Sequence, residues 1–366
     1  MGKLRILITG GGTGGHLFPA LAIGDEIKRK NVDTIIHYVG SKYGLESKVY
    51  PIKDVLHTLI PIRGMQRKLN IGNIKKNLLL PFNILSSISK VNSLLNKFKP
   101  QIIIGTGGYA SAIPILIGLR KKPVPYIVIQ EQNSYPGLTN KFFAKNADLI
   151  FTAFTETANY LDRDVINSGN PIRFGINEGD KRKSRKFFQF NKNIKVLFLF
   201  GGSQGSSFLN NLMEKLILKM RNIKLQILWQ TGDNEYSKFK KYNSDLIKVI
   251  PFIHNMADAY SIADLIICRS GALTISEITI CGKPSILIPL PSSAANHQLK
   301  NARVLEKNGA SFLVEEKKVN INSFFNMVID LTKNKKELKK MSAASKAMAK
   351  PNSTKEIVQK LLKAFK

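Results

Sequence analysis

The sequence predicts an α/β protein made of two domains, each built on a parallel β-sheet. Short apolar runs alternate with helix-like stretches along nearly the whole chain, a pattern typical of repeated β-α-β units. Two of these runs, Leu4–Ile8 and Val196–Phe200, lead directly into glycine-rich turns, Thr9–His16 and Gly201–Ser206. At 366 residues the chain is long enough for two ordinary domains. Because each half contains the same strand–turn–helix unit, we expect two Rossmann-like domains.

The apolar runs fall into two series. The first predicts strands at Leu4–Ile8, Thr34–Val39, Ile102–Ile104, Tyr126–Ile129, Leu149–Thr152 and Asp164–Asn167. The second predicts strands at Val196–Phe200, Leu225–Gln230, Ile247–Pro251, Leu265–Cys268 and Ser285–Pro289. Predicted helices include Pro19–Lys30, Tyr135–Ala144, Ser207–Met220, Ala272–Thr279 and a lysine-rich amphipathic helix at Ser353–Phe365. We expect the turn cluster Gly169–Pro171 to end the first domain.

Composition limits the partners and the compartment. The formal net charge is +31, which favours anionic partners such as nucleic acid, acidic lipid or phosphorylated substrates, of which we expect no nucleic acid. A mutational bias toward lysine codons explains the charge equally well, and both explanations stay open. The sequence lacks the arginine–aromatic interleaving of RNA-binding segments, a membrane-spanning apolar run and a signal-peptide pattern. Cys268 and Cys281 form no metal or disulfide pattern, so we expect buried, reduced thiols.

The first glycine turn fits the pattern G-x-G-x-x-G through Gly10, Gly12 and Gly15. Such turns let a phosphate approach backbone N–H groups at a helix N-terminus. A nicotinamide-binding domain also needs an acidic residue at the end of its second strand, but that strand ends at Tyr38–Ser41. A nicotinamide enzyme is therefore disfavoured. His16 follows the turn and is predicted to be a general base, a phosphate ligand or a structural cap.

Polar residues follow other predicted strands of both sheets. Gly105–Tyr109 and Glu131–Asn133 come after strands of the first series, and Arg269–Glu277 comes after Leu265–Cys268. Carboxyl ends of parallel strands are where α/β folds bind ligands. Glu131–Asn133 therefore serves a site or organises its own loop. Glu277 is expected either near the mouth of a site, accepting ribose hydroxyl bonds, or on a solvated helix face.

Taken together, these motifs resemble the MurG family. The residues that carry the resemblance are Thr9–His16 with Phe18–Ala20, Gly107–Tyr109, Glu131–Asn133 with Gly137–Asn140, Gly169–Arg173, Gly201–Gly205, Cys268–Glu277, and Asn296–Gln298 with Asn301 and Ala302. They span nearly the whole chain in order and spacing. One position departs from the pattern, because Gln130 stands where many family members carry histidine before Glu-Gln-Asn.

The resemblance implies the GT-B fold, with two Rossmann-like domains facing a central cleft. It implies an acceptor and membrane-docking domain at 1–173, joined by a C-terminal helix at 351–366, and a UDP-GlcNAc-binding domain at 174–350. The implied reaction moves N-acetylglucosamine from UDP-GlcNAc to the 4-hydroxyl of the muramoyl-pentapeptide of lipid I, giving lipid II for peptidoglycan synthesis. Transfer would invert the anomeric centre and need neither a metal nor a cofactor. Another GT-B enzyme, such as a glycolipid transferase or a 2-epimerase, and a non-catalytic membrane scaffold remain alternatives.

The resemblance also implies site residues. His16 would be the general base, with Glu131 and Tyr109 as weaker alternatives. The expected substrate-binding residues are Thr13, Gly14, Gly15, Tyr109, Asn133, Arg173, Ser203, Ile253, Ala272, Leu273, Thr274, Glu277 and Gln298. Within this set, Arg173 would pair with phosphate, Ile253 would offer backbone bonds to uracil, and Gln298 would bind the sugar.

The lipid-linked acceptor implies a peripheral protein on the cytoplasmic face of the cell membrane. Lipid I, an anionic membrane surface and cell-division or elongation proteins are the expected partners. The expected docking segment is Asn73–Phe98. Its apolar and basic residues include Lys75, Lys76, Leu78, Leu79, Leu80, Pro81, Phe82 and Leu85, with Lys141 and Lys145 on another helix. The alternative is that Leu79 and Phe82 belong to the core.

Overall fold

The computed structural model describes residues 3–64, 77–202, 204–220 and 223–365. The chain divides into two compact units. The first comprises Met1–Ile172 and Asn352–Lys366, and the second comprises Arg173–Pro351. The boundary falls one residue before the expected one at 173. No helix in the described ranges is long and apolar enough to cross a membrane.

The first unit contains a seven-stranded sheet in the order β3-β2-β1-β4-β5-β6-β7, in which every neighbouring pair is parallel. The strands are β1 Arg5–Thr9, β2 Ile35–Ser41, β3 His57–Ile60, β4 Ile102–Gly105, β5 Tyr126–Glu131, β6 Leu149–Thr152 and β7 Ile166–Asn167. Its helices are Gly14–Lys30, Glu46–Ile52, Leu80–Phe98, Tyr109–Gly118, Leu138–Phe143 and Ser353–Phe365, with 3-10 turns at Ala144–Asn146 and Thr155–Tyr160.

The second unit contains a six-stranded parallel sheet in the order β10-β9-β8-β11-β12-β13. The strands are β8 Val196–Phe200, β9 Gln226–Gln230, β10 Ile247–Ile250, β11 Leu265–Cys268, β12 Ser285–Leu287 and β13 Ser311–Leu313. Its helices are Lys181–Phe187, Ser207–Lys219, Asp233–Phe239, Met256–Ile262, Ala272–Ile280, His297–Lys307, Ile321–Lys333 and Lys335–Ala347. Short 3-10 turns lie at Lys240–Tyr242, Ala294–Asn296 and Glu316–Lys318.

The C-terminal helix Ser353–Phe365 completes the core of the first unit. Ile357, Val358 and Leu361 are buried in one cluster with residues of β1 and of the helix Gly14–Lys30. The Ser353 hydroxyl donates a hydrogen bond to the carbonyl of Asn170. The amphipathic pattern therefore predicted the bounds of this helix.

Several predicted boundaries were wrong. The first helix begins at Gly14 rather than Pro19, because the glycine turn itself supplies the first helical turn. Strand β5 continues through Glu131, so this residue ends the strand instead of following it. The helix predicted from Tyr135 begins at Leu138, after the segment that contains Pro136. Strands β3 and β13 were missed, since both are short strands at sheet edges without a continuous apolar run.

Candidate active site

His16 lies where the carboxyl ends of neighbouring strands of the first sheet meet. Strands β1, β4 and β5 are adjacent, so the segments that follow them lie side by side. Gly107 and Gly108 have φ angles of +95° and +79°, which favour glycine. A Cβ on Gly107 would lie 2.9 Å from Nδ1 of His16, so only glycine lets the imidazole approach this turn.

The imidazole of His16 is held through one of its two nitrogens. Nδ1 lies 2.9 Å from the carbonyl oxygen of Thr106 and 2.9 Å from Oε1 of Gln132. Within residues 3–64, 77–202, 204–220 and 223–365, no group hydrogen-bonds Nε2. The half-buried ring can therefore exchange a proton with a ligand through Nε2.

The first glycine turn is tied to a buried carboxylate. Both oxygens of Glu46 accept from the N–H of Gly12, at 2.9 and 3.0 Å, and Oε1 also accepts from the N–H of Ser41 at 2.6 Å. The expectation of a phosphate-type loop is wrong for Gly12, because its N–H is already bonded to a negative group. Gly14 and Gly15 form the first turn of the following helix, and this first turn contains no acidic residue. Thr13 precedes that helix and makes no side-chain cap.

Glu131 organises a turn and is a poor candidate for the base. Its fully buried carboxylate accepts from the backbone and side-chain nitrogens of Asn133 at 2.9 and 3.1 Å. It also accepts from the N–H of Gly137 at 2.9 Å and from Nδ2 of Asn140 at 2.8 Å. These four bonds favour the interpretation that Glu131 organises its own loop. Tyr109 opens the helix after β4 and packs its half-exposed ring against Gly64.

In the second unit, Gln230 connects the glycine turn to the segment after β10. Its Nε2 donates to the carbonyl of Gly202 at 3.0 Å, and its Oε1 accepts from the N–H of Ile253 at 2.8 Å. Because this N–H is already bonded, any bond from Ile253 to a uracil has to come from its carbonyl. Sequence reasoning missed Gln230, although a polar residue that ends an apolar strand is a usable signal. Ser203 lies outside the described residues.

The helix Ala272–Ile280 presents an N-terminus without an acidic residue in its first turn. Gly271 precedes it and provides no side-chain cap, and Ala272, Leu273 and Thr274 form the first turn. Backbone N–H groups in a first turn lack partners within the helix and carry the positive end of its dipole. This helix start therefore suits an anionic ligand.

Arg269, at the end of β11, fixes the turn that leads into this helix. Its guanidinium donates to Oγ of Ser206 at 2.9 Å and to the carbonyls of Ile288 and Pro289 at 3.1 Å. It also lies 2.6 Å from the carboxylate of Glu316. The role of this buried arginine was missed, because nothing local in the sequence indicates its partners.

Glu277 is buried, which contradicts the alternative that it lies on a solvated helix face. The hydroxyl of Tyr260 donates to Oε2 at 2.8 Å, and Nη2 of Arg173 lies 3.4 Å from Oε1. Burial raises the pKa of Glu277, whereas the charge of Arg173 and the hydrogen bonds from Tyr260 and Arg173 lower it. In this structure Arg173, expected at a phosphate, pairs with Glu277.

The side chain of Gln298 is bonded through its oxygen. Oε1 of Gln298 accepts from the N–H of Leu290 at 3.0 Å, so a sugar hydroxyl would meet its amide nitrogen.

Cys268 and Cys281 are free thiols. Burial raises the pKa of Cys268 and raises that of Cys281 to about 12, so both stay protonated at neutral pH. Cys281 is only partly buried, contrary to expectation. In the described part of the chain, no group of three or more His, Cys, Asp or Glu side chains is placed to hold a metal ion.

Comparisons with known proteins cover both units. The glycosyltransferase family 28 N-terminal domain matches residues 6–152, and the family 28 C-terminal domain matches residues 196–358. A relative from Finegoldia magna, named UDP-N-acetylglucosamine--N-acetylmuramyl-(pentapeptide) pyrophosphoryl-undecaprenol N-acetylglucosamine transferase, is 37% identical over 98% of this chain and 97% of its own.

Two solved structures are similar to the whole chain. The crystal structure of Acinetobacter baumannii MurG has a TM-score of 0.77 and 26% identity, covering 98% of this chain and 99% of that one. A UDP-GlcNAc 2-epimerase from Neisseria meningitidis, solved with UDP-GlcNAc bound, has a TM-score of 0.68 and 15% identity, covering 98% and 100%. The second likeness shows the fold alone. The predicted α/β fold with two parallel-sheet domains is confirmed.

The support of the first glycine turn by Glu46 can be tested by substitution. We expect Glu46→Ala to lower the free energy of unfolding by about 1–3 kcal/mol, because it leaves the N–H groups of Gly12 and Ser41 without their acceptor. Urea denaturation followed by circular dichroism measures this change. The exposed carboxylate Asp162 provides the control, since Asp162→Ala should change stability by less than about 0.5 kcal/mol. Equal stabilities of the two variants would contradict the assignment.

Proposed function

The chain belongs to the MurG family within glycosyltransferase family 28, and on that premise we propose how its two units carry out the reaction. The protein transfers N-acetylglucosamine from UDP-GlcNAc to lipid I, forming lipid II and UDP for peptidoglycan synthesis. The observation that carries this function is the continuous match, along nearly the whole chain, to transferases with that printed name.

The donor is assigned to the second unit. The diphosphate of UDP-GlcNAc is placed against the turn Gly201–Ser206, which includes Ser203, and against the first helical turn at Ala272, Leu273 and Thr274. Support comes from the acid-free helix start, whose dipole and N–H groups stabilise negative charge. This is our reason to propose that catalysis needs no bound metal or cofactor.

The nucleoside and sugar of the donor are assigned to neighbouring side chains. The carbonyl of Ile253 would accept a bond from uracil, and Glu277 would bind ribose hydroxyls. Arg173 balances the buried charge of Glu277 and is proposed to turn to the diphosphate once a donor is bound. The amide nitrogen of Gln298 would bind a sugar hydroxyl.

The acceptor is assigned to the first unit, with His16 as the general base. Nε2 takes the proton of the muramoyl 4-hydroxyl while that oxygen bonds to C1 of the N-acetylglucosamine. The bond between C1 and the diphosphate oxygen breaks on the opposite face, so UDP leaves and the anomeric centre inverts. Thr13, Gly14, Gly15, Tyr109 and Asn133 are proposed to position the acceptor or the donor's sugar. Tyr109 and Glu131 are retained only as weaker candidates for the base.

The function is tested by incubating the purified protein with UDP-GlcNAc and a short-chain lipid I analogue in EDTA. We expect UDP and a β-1,4-linked disaccharide product, identified by mass spectrometry and NMR. Conversion of UDP-GlcNAc to its 2-epimer would favour an epimerase, and the absence of turnover would favour a scaffold. A complete loss of activity in EDTA that magnesium restores would contradict the metal-independent mechanism.

The role of Glu277 is tested by Glu277→Gln, which keeps an oxygen for the Tyr260 hydroxyl. We expect UDP-GlcNAc binding to weaken by about 1–3 kcal/mol, the range for a lost charged hydrogen bond. Calorimetry measures the affinity. Tyr260→Phe is the matched control, because it removes a bond to the same carboxylate but leaves the carboxylate in place, and it should weaken binding less. Unchanged affinity in Glu277→Gln would exclude the ribose role.

Membrane docking is proposed for the N-terminal part of the helix Leu80–Phe98 and the residues just before it. Leu79 and Phe82 are 53% and 69% exposed, so the alternative that they belong to the core is wrong. Leu78 and Leu85 are also exposed. Lys75 and Lys76, expected to belong to the same surface, lie outside the described residues, as does Asn73. Apolar side chains on a strongly basic protein suit the interface of an anionic leaflet.

Lys141 and Lys145 are proposed to add to this surface. Lys141 lies on the helix Leu138–Phe143, which packs against the helix Tyr109–Gly118, as does Leu80–Phe98. On the same short helix, Leu138 and Phe142 are exposed. The cytoplasmic face of the cell membrane is therefore the proposed location, and partnership with cell-division or elongation proteins stays a prediction.

Vesicle co-sedimentation tests the docking surface. We expect Leu79→Ser/Phe82→Ser to weaken binding to phosphatidylglycerol vesicles at least about tenfold, because each inserted apolar side chain contributes about 1.5–3 kcal/mol. Phe187→Ser/Leu218→Ser removes equally exposed residues of the second unit and should bind like wild type. Binding of wild type should weaken as salt rises. If both double variants bind like wild type, another surface docks the protein.

A further inference from the structure

We propose that Gln130 and Gln132 are positioning residues that hold His16 in the tautomer with a proton on Nδ1, which turns the lone pair of Nε2 toward the ligand. This inference rests on the proposed role of His16 as the general base. It follows from a series of buried side-chain amides that are joined by hydrogen bonds. The donor and the acceptor of each bond are fixed by the preceding bond in the series.

The series of amides starts at a backbone carbonyl oxygen, which can accept a hydrogen bond but cannot donate one. Nδ2 of Asn170 lies 3.1 Å from the carbonyl oxygen of Gln132, so the amide nitrogen of Asn170 must be there as the donor. Its Oδ1 is consequently an acceptor, and it lies 3.2 Å from Nε2 of Gln130. Gln130 therefore donates to Asn170 and turns its own Oε1 toward Gln132.

The amide of Gln132 is fixed by three acceptors. Its Nε2 lies 2.6 Å from the carbonyl of Thr106, 3.1 Å from the carbonyl of Gln130 and 2.5 Å from Oε1 of Gln130. Reversing the amide would place an oxygen among three oxygens in a buried site, which is costly. Oε1 of Gln132 must therefore face His16.

Nδ1 of His16 consequently faces two acceptors, Oε1 of Gln132 and the carbonyl of Thr106, both at 2.9 Å. A neutral imidazole carries one proton, and only a proton on Nδ1 satisfies this environment. Nε2 is then the unprotonated nitrogen, as a general base requires. Because glutamine does not titrate near neutral pH, Gln130 keeps these directions constant where a histidine at the same position would not.

The tautomer is measured directly by nitrogen-15 NMR of the full chain labelled at its 5 histidines, with His16→Gln assigning the signal. We expect the Nδ1–H form in wild type. Gln132→Met removes one of the two acceptors and should reduce the ratio of Nδ1–H to Nε2–H about fivefold, with a similar fall in kcat and little change in KM for UDP-GlcNAc. Gln130→Met should shift the ratio in the same direction by less.

Two further variants separate positioning from a general loss of stability. Gln132→Glu keeps an acceptor at Nδ1 but replaces the donor that faces three acceptors with a second oxygen, so it should cost stability. His16 should nevertheless keep its proton on Nδ1, because an acceptor still faces that nitrogen. Ser87→Ala removes a different buried hydrogen bond of the first unit and should leave the tautomer unchanged.

The outcomes distinguish the two proposals. An Nε2–H tautomer in wild type, or an unchanged ratio in Gln132→Met, would overturn the positioning role. If Gln132→Met does not fold, the wild-type tautomer and the Gln130→Met ratio still decide it. A shifted tautomer with unchanged kcat would support positioning by the two glutamines and would instead remove His16 from the role of base.

Discussion

The parallel pairing of β1 with β4 is the constraint on which the first site depends. Thr9 and Gly105 are register partners at the carboxyl ends of these strands. The turns that follow must therefore begin side by side, and the N–H of Thr106 bonds the carbonyl of Thr9 at 2.8 Å. A shift of one residue would carry Thr106 away from His16. In the second sheet, Phe200 and Cys268 are register partners in the same way, which brings the glycine turn after β8 next to the helix start at Ala272.

Both glycine turns are hydrogen-bonded through their backbone to a buried polar side chain. Glu46 holds Gly12 in the first unit, and Gln230 holds Gly202 in the second. A buried polar group is tolerated only when its bonds are satisfied, so these contacts fix the turns in one conformation. The support differs in charge, since a carboxylate lies under the first turn and a neutral amide under the second. This difference agrees with placing the donor's diphosphate on the second unit.

Sequence reasoning succeeded where the signal is local. Strands β8 and β11 were predicted with their observed bounds, because each is a continuous apolar run that ends in glycine or polar residues. The position of His16 at the carboxyl ends of the strands also followed from the strand and the turn before it. Glu46 could not be predicted as the partner of Gly12, because 34 residues separate them and only the pairing of β1 with β2 brings them together. The bond between Gln230 and the N–H of Ile253 was missed for the same reason, since 23 residues separate them.

The first unit is discontinuous in sequence, and this has a consequence for the order of folding during synthesis. Ribosomes deliver Arg173–Pro351 before Ser353–Phe365, so the second unit has all of its residues while the first still lacks one helix. In the folded protein, Leu17 and Ile23 pack in one buried cluster with Ile357 and Leu361 of that helix. Until the helix is made, this part of the apolar surface of Leu17 and Ile23 stays exposed. The nascent first unit is thus expected to be open to chaperones until this helix is made, although its strands are made first.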